Sequence, residues 1–571
     1  MGGRSPSRIA SLAGRTVAEA FVRYREQFLE ITGRAESRFA EDDLEGLRSD
    51  AVQRLDLYRS SVEHSIERIG QQLDHRLKDR SLWPSIKAVY SALICERDDW
   101  ELAETFFNSV TRQVFATHGV DPMIEFVDSD FSAEPVRDGP PVYRTFSAGD
   151  RLETTIDTVL QHYELLTRDH ETLCQEIAER IRARLRDMGG LVHVERIEVL
   201  DAPFYRGRRL HLLARVFSRL HFVPLVIVAR REEGELLVEA ILVHEADVSI
   251  LFSFTRAHFH IDVPRPSEVV RFLRSVLPRK RTAELYNALG CDRHGKTEFY
   301  RDLIAHLQRS SERFDFAPGT PGLVMAAFFL PGYDVMFKVI RDRFRPPKVT
   351  SREKVMERYR FVQRHDRAGR LVEAQDFEHL LFDRARFGDA LMEELKGSCA
   401  SSVREESDRL VFSHLYVERQ VMPLNLYLRD AEPTAAAQAV LDFGQCIKDL
   451  AYTGVFPGDL LTKNFGVTRN GRVVFYDYDE LVHVSDCNFR VIPPPRTPED
   501  ELSAEPWYRV GEDDIFPEEL RTFIGLNAQW LEVFDTEHRD LFEAEWWWEI
   551  QKQLSDGAAP EVQPFSGRCL L

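Results

Sequence analysis

An α+β fold in two parts is what the sequence predicts, and three observations predict it. The chain has 571 residues, more than one ordinary hydrophobic core organises, so two domains or more are expected. From Ile9 to about Met188 apolar residues recur at helical spacing, as in Val17, Phe21, Tyr24, Phe28 and Ile31, with few Gly or Pro. That period marks an array of amphipathic helices. Between Gly190 and Val263 the pattern turns to short β-rich runs, and near residue 310 a Pro- and Gly-punctuated segment opens a second alternation of strands and helices. Residues 1–310 are therefore read as a mostly helical domain with a small antiparallel sheet, and 311–571 as a second, mixed domain.

The small sheet rests on Leu225-Val-Ile-Val-Ala, Leu236-Leu-Val-Glu-Ala-Ile-Leu-Val and Val248-Ser-Ile-Leu-Phe-Ser-Phe, parted by Arg230-Arg-Glu-Glu-Gly and His244-Glu-Ala-Asp. Helices return at Ser267–Leu277 and Arg281–Leu289. In the second domain Ser311–Leu323 leads into strands at Val324–Leu330 and Asp334–Ile340. A helix follows at Ser351–Gln363, opened by the capping-box spacing Thr350-x-x-Glu353. Further strands, a helix near Ala435–Tyr452 and acidic helical text complete the chain, with Trp546-Trp-Trp548 read as core.

The 75 Lys plus Arg against 94 Asp plus Glu leave a formal charge of -19, which sets aside general attraction to nucleic acid or anionic membrane. Apolar runs such as Phe222–Ala229 and Leu323–Leu330 fall short of the roughly 20 residues that span a bilayer. Met1–Arg25 has no apolar signal core, and the seven cysteines never form a Cys-x-x-Cys pair. A cytoplasmic protein without a disulfide framework or zinc site is the expectation.

Gly290-Cys-Asp-Arg-His-Gly295-Lys296-Thr297 satisfies G-x4-G-K-T, the pattern of a phosphate-cradling loop. Such a loop needs a buried strand before it, whereas Arg281–Leu289 is a helix former and Gly290 reads as its left-handed cap. A helix–turn–helix corner is the preferred reading.

A stronger constellation runs in order from Ala317 to Asp479. Ala317-Pro318-Gly319-Thr320-Pro321-Gly322-Leu323 is a Gly-containing turn before an apolar strand, the arrangement that brings backbone close to a triphosphate. Sixteen residues past Gly322, Lys338 stands mid-strand in Val335-Met-Phe-Lys-Val-Ile340, where a buried charge needs a partner such as phosphate. Glu357, nineteen residues further on the helix, is where kinases place the glutamate that pairs such a lysine. Tyr416–Asn425 reads as a strand leaving into a hinge-like linker. Asp459 and Asn464 have the D-x4-N spacing of a catalytic loop, in which one residue accepts the hydroxyl proton and the other ligates magnesium. Thirteen residues beyond Asn464, after an Asn470-Gly471 hairpin, a strand ends in Asp477 and Asp479, at the place of the metal-binding aspartate. The order of these signals, more than any one of them, predicts a bilobal protein-kinase-like second domain.

The chain resembles the isocitrate dehydrogenase kinase/phosphatase family over almost its whole length. The resemblance rests on Leu289-Gly-Cys-Asp-Arg-His-Gly-Lys-Thr-Glu, Ala317-Pro-Gly-Thr-Pro-Gly-Leu-Val-Met, Phe337-Lys-Val-Ile-Arg-Asp-Arg-Phe, Arg419-Gln-Val-Met-Pro-Leu-Asn-Leu-Tyr-Leu, Gly458-Asp-Leu-Leu-Thr-Lys-Asn-Phe-Gly and Tyr476-Asp-Tyr-Asp-Glu. It implies an N-terminal regulatory domain and a kinase domain that phosphorylates a serine of isocitrate dehydrogenase and removes that phosphate, controlling flux into the glyoxylate bypass. On this resemblance Ala317–Leu323 and Lys338 bind ATP or ADP, Asp459 is the kinase base, Asn464 and Asp477 hold Mg2+, Asp479 is a neighbouring acid, and AMP acts as allosteric effector near the domain junction. A homodimer is among the assemblies it allows. One departure stands out: after Gly369-Arg370-Leu-Val the family usually carries an aspartate assigned to the phosphatase reaction, and here the residue is Glu373, followed by Asp376. A nucleotide-responsive, pseudokinase-like binding protein is the alternative, opposed by the intact Lys338, Asp459, Asn464 and Asp477 set.

Overall fold

The computed structural model describes residues 6–571 except 128–139, 166–168, 190–191, 220, 233, 254–258, 347, 349, 496, 498–506, 512 and 566. The chain forms two compact units, Met1–Ser310 with His379–Leu381 and Phe565–Leu571, and Ser311–Glu378 with Phe382–Pro564.

The first unit opens with two long helices, α1 (Pro6–Ala40) and α2 (Leu44–Leu73). Asp43 starts α2 by accepting the Gly46 N–H at 2.8 Å, which satisfies one of the donors a helix start leaves open. The predicted stripe Val17, Phe21, Tyr24, Phe28 and Ile31 is buried. It shares a core with Trp83 and Tyr90 of α3 (Trp83–Ile94) and with Phe106 and Phe107 of α4 (Trp100–Phe115). Burying each such side chain contributes about 1.5–3 kcal/mol.

An antiparallel sheet follows, with strands β1 (Tyr143–Ser147), β2 (Arg196–Leu200), β3 (Phe204–Arg206), β4 (Arg209–Ser218), β5 (His221–Glu232) and β6 (Glu235–Leu242) in the order β1-β2-β4-β5-β6, β3 pairing β4. Its side chains alternate between two cores, as strand geometry requires. Leu212, Leu225 and Ile227 pack with Ile156, Val159, Ile177 and Ile181 of α5 (Leu152–His162) and α6 (His170–Asp187), while Leu213, Val226 and Val228 join the core of α1 to α4. The sheet is larger than the sequence predicts: β1 lies inside the text read as helical. Conversely, the apolar run from Val248 forms the helix α7 (Glu245–Leu251), not a strand; its Phe254 and the boundary residue Gly190 lie outside the described residues. A short apolar run fits either structure, and the acids Glu245 and Asp247 in the first turn favour the helix.

After α8 (Pro266–Val276), α9 (Thr282–Ala288) ends at Gly290, whose φ is +79°. Gly295, Lys296 and Thr297 lie inside α10 (Asp292–Arg309), so the phosphate-loop pattern is a helical corner. Gly295 is there for packing, since a Cβ would fall 2.0 Å from Asn287 Oδ1 and 2.8 Å from the Ala283 carbonyl oxygen.

The second unit begins with β7 (Asp315–Phe316), β8 (Met325–Leu330), β9 (Tyr333–Ile340), α11 (Arg352–His365), β10 (Ala374–Asp383), α12 (Asp389–Ser398), β11 (Val403–Glu406) and β12 (Arg409–Arg419). The sheet order is β10-β12-β9-β8-β7, with β11 on β12. The cap of α11 is Ser351, which accepts the Lys354 N–H at 3.2 Å, one residue later than the predicted box at Thr350. A mostly helical part follows: β13 (Met422–Pro423), α13 (Leu424–Asp430), α14 (Pro433–Tyr452), β14 (Val455–Phe456), β15 (Phe465–Val467), β16 (Val473–Phe475), α15 (Pro517–Phe523), α16 (Ala528–His538) and α17 (Ala544–Ser555). Phe443, Ile447 and Leu450 of α14 pack with Phe465, Phe475, Phe534 and Trp547. Trp547 is core as expected, but Trp548 is half exposed and donates to the Phe489 carbonyl at 2.8 Å. Buried Arg370 ties this part together, reaching Asp449 at 2.7 Å and both oxygens of Asp442 at 2.8 Å. An α+β chain with a helical first part and a sheet-then-helix second part is thus the observed fold.

Candidate active site

Lys338 sits mid-way along β9, paired across the sheet with Ala327 on β8 and Tyr416 on β12. Its ammonium lies 2.6 Å from Glu418 Oε2 and donates to the Tyr476 carbonyl at 2.9 Å. Burial raises the Glu418 pKa above the usual carboxylate range even though Lys338 pulls it down. The lysine's partner is therefore a strand residue, not Glu357, which is exposed on α11. Register explains the difference. Glu418 stands opposite Met336, on the same face as Lys338 and diagonal to it, within reach of two long side chains.

The Ala317–Leu323 turn joins β7 to β8, anchored where the Ala317 N–H meets the Ala327 carbonyl at 3.1 Å. Pro318 to Gly322 are exposed, and Gly319 has a φ of +97° that a side chain would strain. At Gly322 a Cβ would fall 2.8 Å from the Met325 carbonyl oxygen, and Arg341 Nε holds the Gly322 carbonyl at 3.1 Å. The turn thus offers backbone, without bulky cover, at the head of the strand that neighbours Lys338.

Asp459 follows Gly458, whose φ is +79° and whose missing side chain leaves room for the Glu480 carbonyl. Asp459 Oδ1 accepts the Leu461 N–H at 3.3 Å, and buried Asn464 donates its amide to the Asp459 carbonyl at 3.2 Å. The β15–β16 hairpin, turning at Gly471, pairs Phe465 with Phe475 and brings the Tyr476 N–H to the Asn464 carbonyl at 3.1 Å. Tyr476 therefore bonds Lys338 through its carbonyl and Asn464 through its N–H. This one residue holds together the lysine, the loop and the strand end that carries Asp477.

Asp477 and Asp479 are neighbouring acids that act on each other electrostatically. Burial and the Asp479 charge raise Asp477 well above the usual range. Burial also opposes ionisation of Asp479, but Asp477 and Lys348, the latter 3.1 Å away, outweigh it and keep Asp479 below that range. Two neighbouring carboxyl groups beside the loop of Asn464 form a donor set suited to a hard divalent cation.

Glu373 is delivered by a short segment beside β16. The Val372 N–H meets the Phe475 carbonyl at 3.1 Å, the Phe475 N–H meets the Arg370 carbonyl at 2.7 Å, and the Tyr478 hydroxyl bonds the Val372 carbonyl. Half-buried Glu373 receives a 3.0 Å hydrogen bond from Gln375. Its backbone is thereby tied to the strand that ends in Asp477. Sequence reasoning missed Glu418, Tyr476 and Lys348. Only Glu418 left a signal, as an acid in the strand that partners Lys338.

Comparison with known proteins adds the following. Residues 14–311 match the family described as isocitrate dehydrogenase kinase/phosphatase (AceK), regulatory domain. Residues 312–567 match the isocitrate dehydrogenase kinase/phosphatase (AceK) kinase domain. The chain is 45% identical over 567 residues to the isocitrate dehydrogenase kinase/phosphatase of Anaeromyxobacter sp. (strain Fw109-5), covering 98% of each chain. It is 42% identical to that of Xanthomonas euvesicatoria pv. vesicatoria (strain 85-10), over 98% of this chain and 97% of the relative. Against that of Yersinia pestis (strain Pestoides F) the identity is 37%, over 99% of this chain and 100% of the relative.

Proposed function

We propose, from the premise that the chain belongs to the isocitrate dehydrogenase kinase/phosphatase family, that one nucleotide site in its second unit runs both a protein-serine kinase and a phosphoprotein phosphatase reaction. The protein substrate is isocitrate dehydrogenase. The observation that carries the reading is the convergence at Tyr476, which links Lys338, Asn464 and the Asp477 strand by backbone hydrogen bonds of 2.9 and 3.1 Å.

In the kinase direction, backbone N–H groups of Ala317–Leu323 and the ammonium of Lys338 receive the phosphates of ATP. Asp459, one oxygen fixed by the Leu461 N–H, takes the serine proton as the serine oxygen bonds the terminal phosphorus and ADP leaves. Asn464 and Asp477 would hold magnesium, with Asp479 beside them; when bound, it neutralises charge on the transferring phosphoryl oxygens. In the phosphatase direction Glu373 orients a water toward the phosphoserine phosphorus and accepts its proton. As the water oxygen bonds phosphorus the bond to the serine oxygen breaks, Asp459 in its protonated form returns a proton to that oxygen, and inorganic phosphate leaves. The reading extends to a cytoplasmic enzyme, to AMP as the effector that favours dephosphorylation, and to control of flux between the tricarboxylic acid cycle and the glyoxylate bypass.

The test is transfer of label from ATP to purified isocitrate dehydrogenase, then its release with ADP or AMP present, for wild type, Asp477→Ala and Glu373→Ala. Loss of both reactions in Asp477→Ala, with selective loss of release in Glu373→Ala, is expected. Absence of transfer by the wild type despite tight ATP binding would overturn the kinase assignment in favour of a binding protein.

A further inference from the structure

Away from the nucleotide site, α5 and α6 of the first unit bring together three side chains that the proposed reactions do not use. Asp157 lies on α5, while His170 and Cys174, four residues apart on α6, share one helix face. One donor atom from each residue lies within 4.8 Å of the others.

The hydrogen bonding within the cluster is incomplete. Asp157 Oδ1 lies 2.7 Å from His170 Nε2 and also receives the Gln161 amide at 2.8 Å. Among the described residues His170 Nδ1, shielded from solvent, has no hydrogen-bond partner. The Cys174 thiol, on a residue only 3% exposed, belongs to the core between these helices and the sheet. A cation in place of the proton between Asp157 Oδ1 and His170 Nε2 would meet both of those donors and the Cys174 sulfur.

The carboxylates of Asp157, Glu153 and Glu171 place negative charge around the buried Cys174 sulfur. Of these Glu153 is partly neutralised by Arg182 at 2.7 Å.

We propose that Asp157, His170 and Cys174 form a binding site for a zinc-class divalent ion that pins α5 to α6. One nitrogen, one sulfur and one oxygen donor suit a borderline-soft ion over magnesium or calcium. Three protein ligands leave a fourth position for water, which the partial exposure of Asp157 and His170 allows. The site is separate from the magnesium site proposed in the second unit, and its role is structural: occupancy locks the helix pair that covers the sheet of the regulatory unit.

Cobalt(II) is the probe, titrated into the chelator-treated full-length protein. The wild type is expected to show a near-ultraviolet thiolate-to-cobalt band that saturates at one equivalent and is displaced by zinc. Cys174→Ser should abolish the band. Asp157→Asn and His170→Ala should weaken zinc, measured by competition with a chromophoric chelator, by about ten- to a hundredfold or more. Zinc should also raise the melting temperature of the wild type and leave that of the variants unchanged. Cys95→Ser, which removes the exposed thiol, should keep the band. A wild type without the band, a band that survives Cys174→Ser, or one lost in Cys95→Ser would each overturn the proposal. Circular dichroism in chelator separates a misfolded variant from a metal-binding defect, and His170→Ala, at a partly exposed position, serves as the second variant should Cys174→Ser fail to fold.

Discussion

At the scale of single residues, the buried pair of Lys338 and Glu418 carries the sharpest consequence. Removing one partner of a buried ion pair leaves the other charge uncompensated, at a cost of about 3–5 kcal/mol. Glu418→Ala is therefore expected to lower the melting temperature and raise the KM for ATP, whereas Glu357→Ala, at an exposed position, should change neither. Equal loss in the two variants, measured by thermal unfolding and kinase assay, would restore the helix residue as the partner. Lys338 was legible because a lysine in mid-strand demands an explanation. Glu418 was not, because the pairing depends on the register of β9 against β12, which no single-strand pattern encodes. A second residue makes a pH prediction. Burial foremost, with the charge of Asp99 adding to it, pushes fully buried Glu101 up to about 8. Its folded pKa lies above the ordinary value of about 4.3, so its contribution to stability is whole below that value and is lost as pH rises through 8. Glu101→Gln should remove this dependence. The gap in unfolding free energy between variant and wild type is expected to move in the variant's favour by about 1.4 kcal/mol per pH unit through that interval, and a gap independent of pH would contradict the burial argument.

At the scale of elements, glycines show how local geometry serves the site. Gly458 has a φ of +79°, and a Cβ there would lie 2.4 Å from the Glu480 carbonyl oxygen. Gly458→Ala must shift the loop that carries Asp459. Misplacement on the order of 1 Å costs about a hundredfold in rate, so kcat should fall by about that factor with a smaller change in the KM for ATP. Gly295→Ala is the contrast: it crowds Asn287 inside the α10 corner and should cost about 1–3 kcal/mol of stability while the KM for ATP stays unchanged. Unfolding and kinetic measurements on the two variants separate a site glycine from a packing glycine that shares a phosphate-loop spelling. The helices were legible from long amphipathic periods, and the Asn470-Gly471 turn from its chemistry. Val248–Leu251 was misread as strand because a short apolar run carries no period long enough to choose. The strand Tyr143–Ser147 was missed because its burial is shallow and irregular, so its pairing with β2 comes from tertiary contact and not from a pattern of its own.

At the scale of the whole molecule, the one site proposed for the two opposed reactions must divide its groups between shared and direction-specific roles. Lys338, Asn464 and Asp477 meet through Tyr476, so a change at any of them disturbs both directions. Glu373 comes from a separate segment, tied to the same strand through Arg370, Val372 and the Tyr478 hydroxyl. Altering it is expected to leave the nucleotide contacts in place. Its side chain is one methylene longer than that of an aspartate, and the bond from Gln375 at 3.0 Å restrains the carboxylate. Glu373→Asp draws the charge back along the side chain. If Gln375 has adapted the site to the longer acid, Glu373→Asp lowers phosphatase turnover by about ten- to a hundredfold, leaves kinase turnover within about twofold, and is partly rescued by Gln375→Ala, which frees the shorter side chain. The measurement is kcat for labelled-phosphate release and for transfer in the single and double variants. Parallel losses in both directions would mean that Glu373 supports the shared site, and the assignment of a separate water-activating group would then fall.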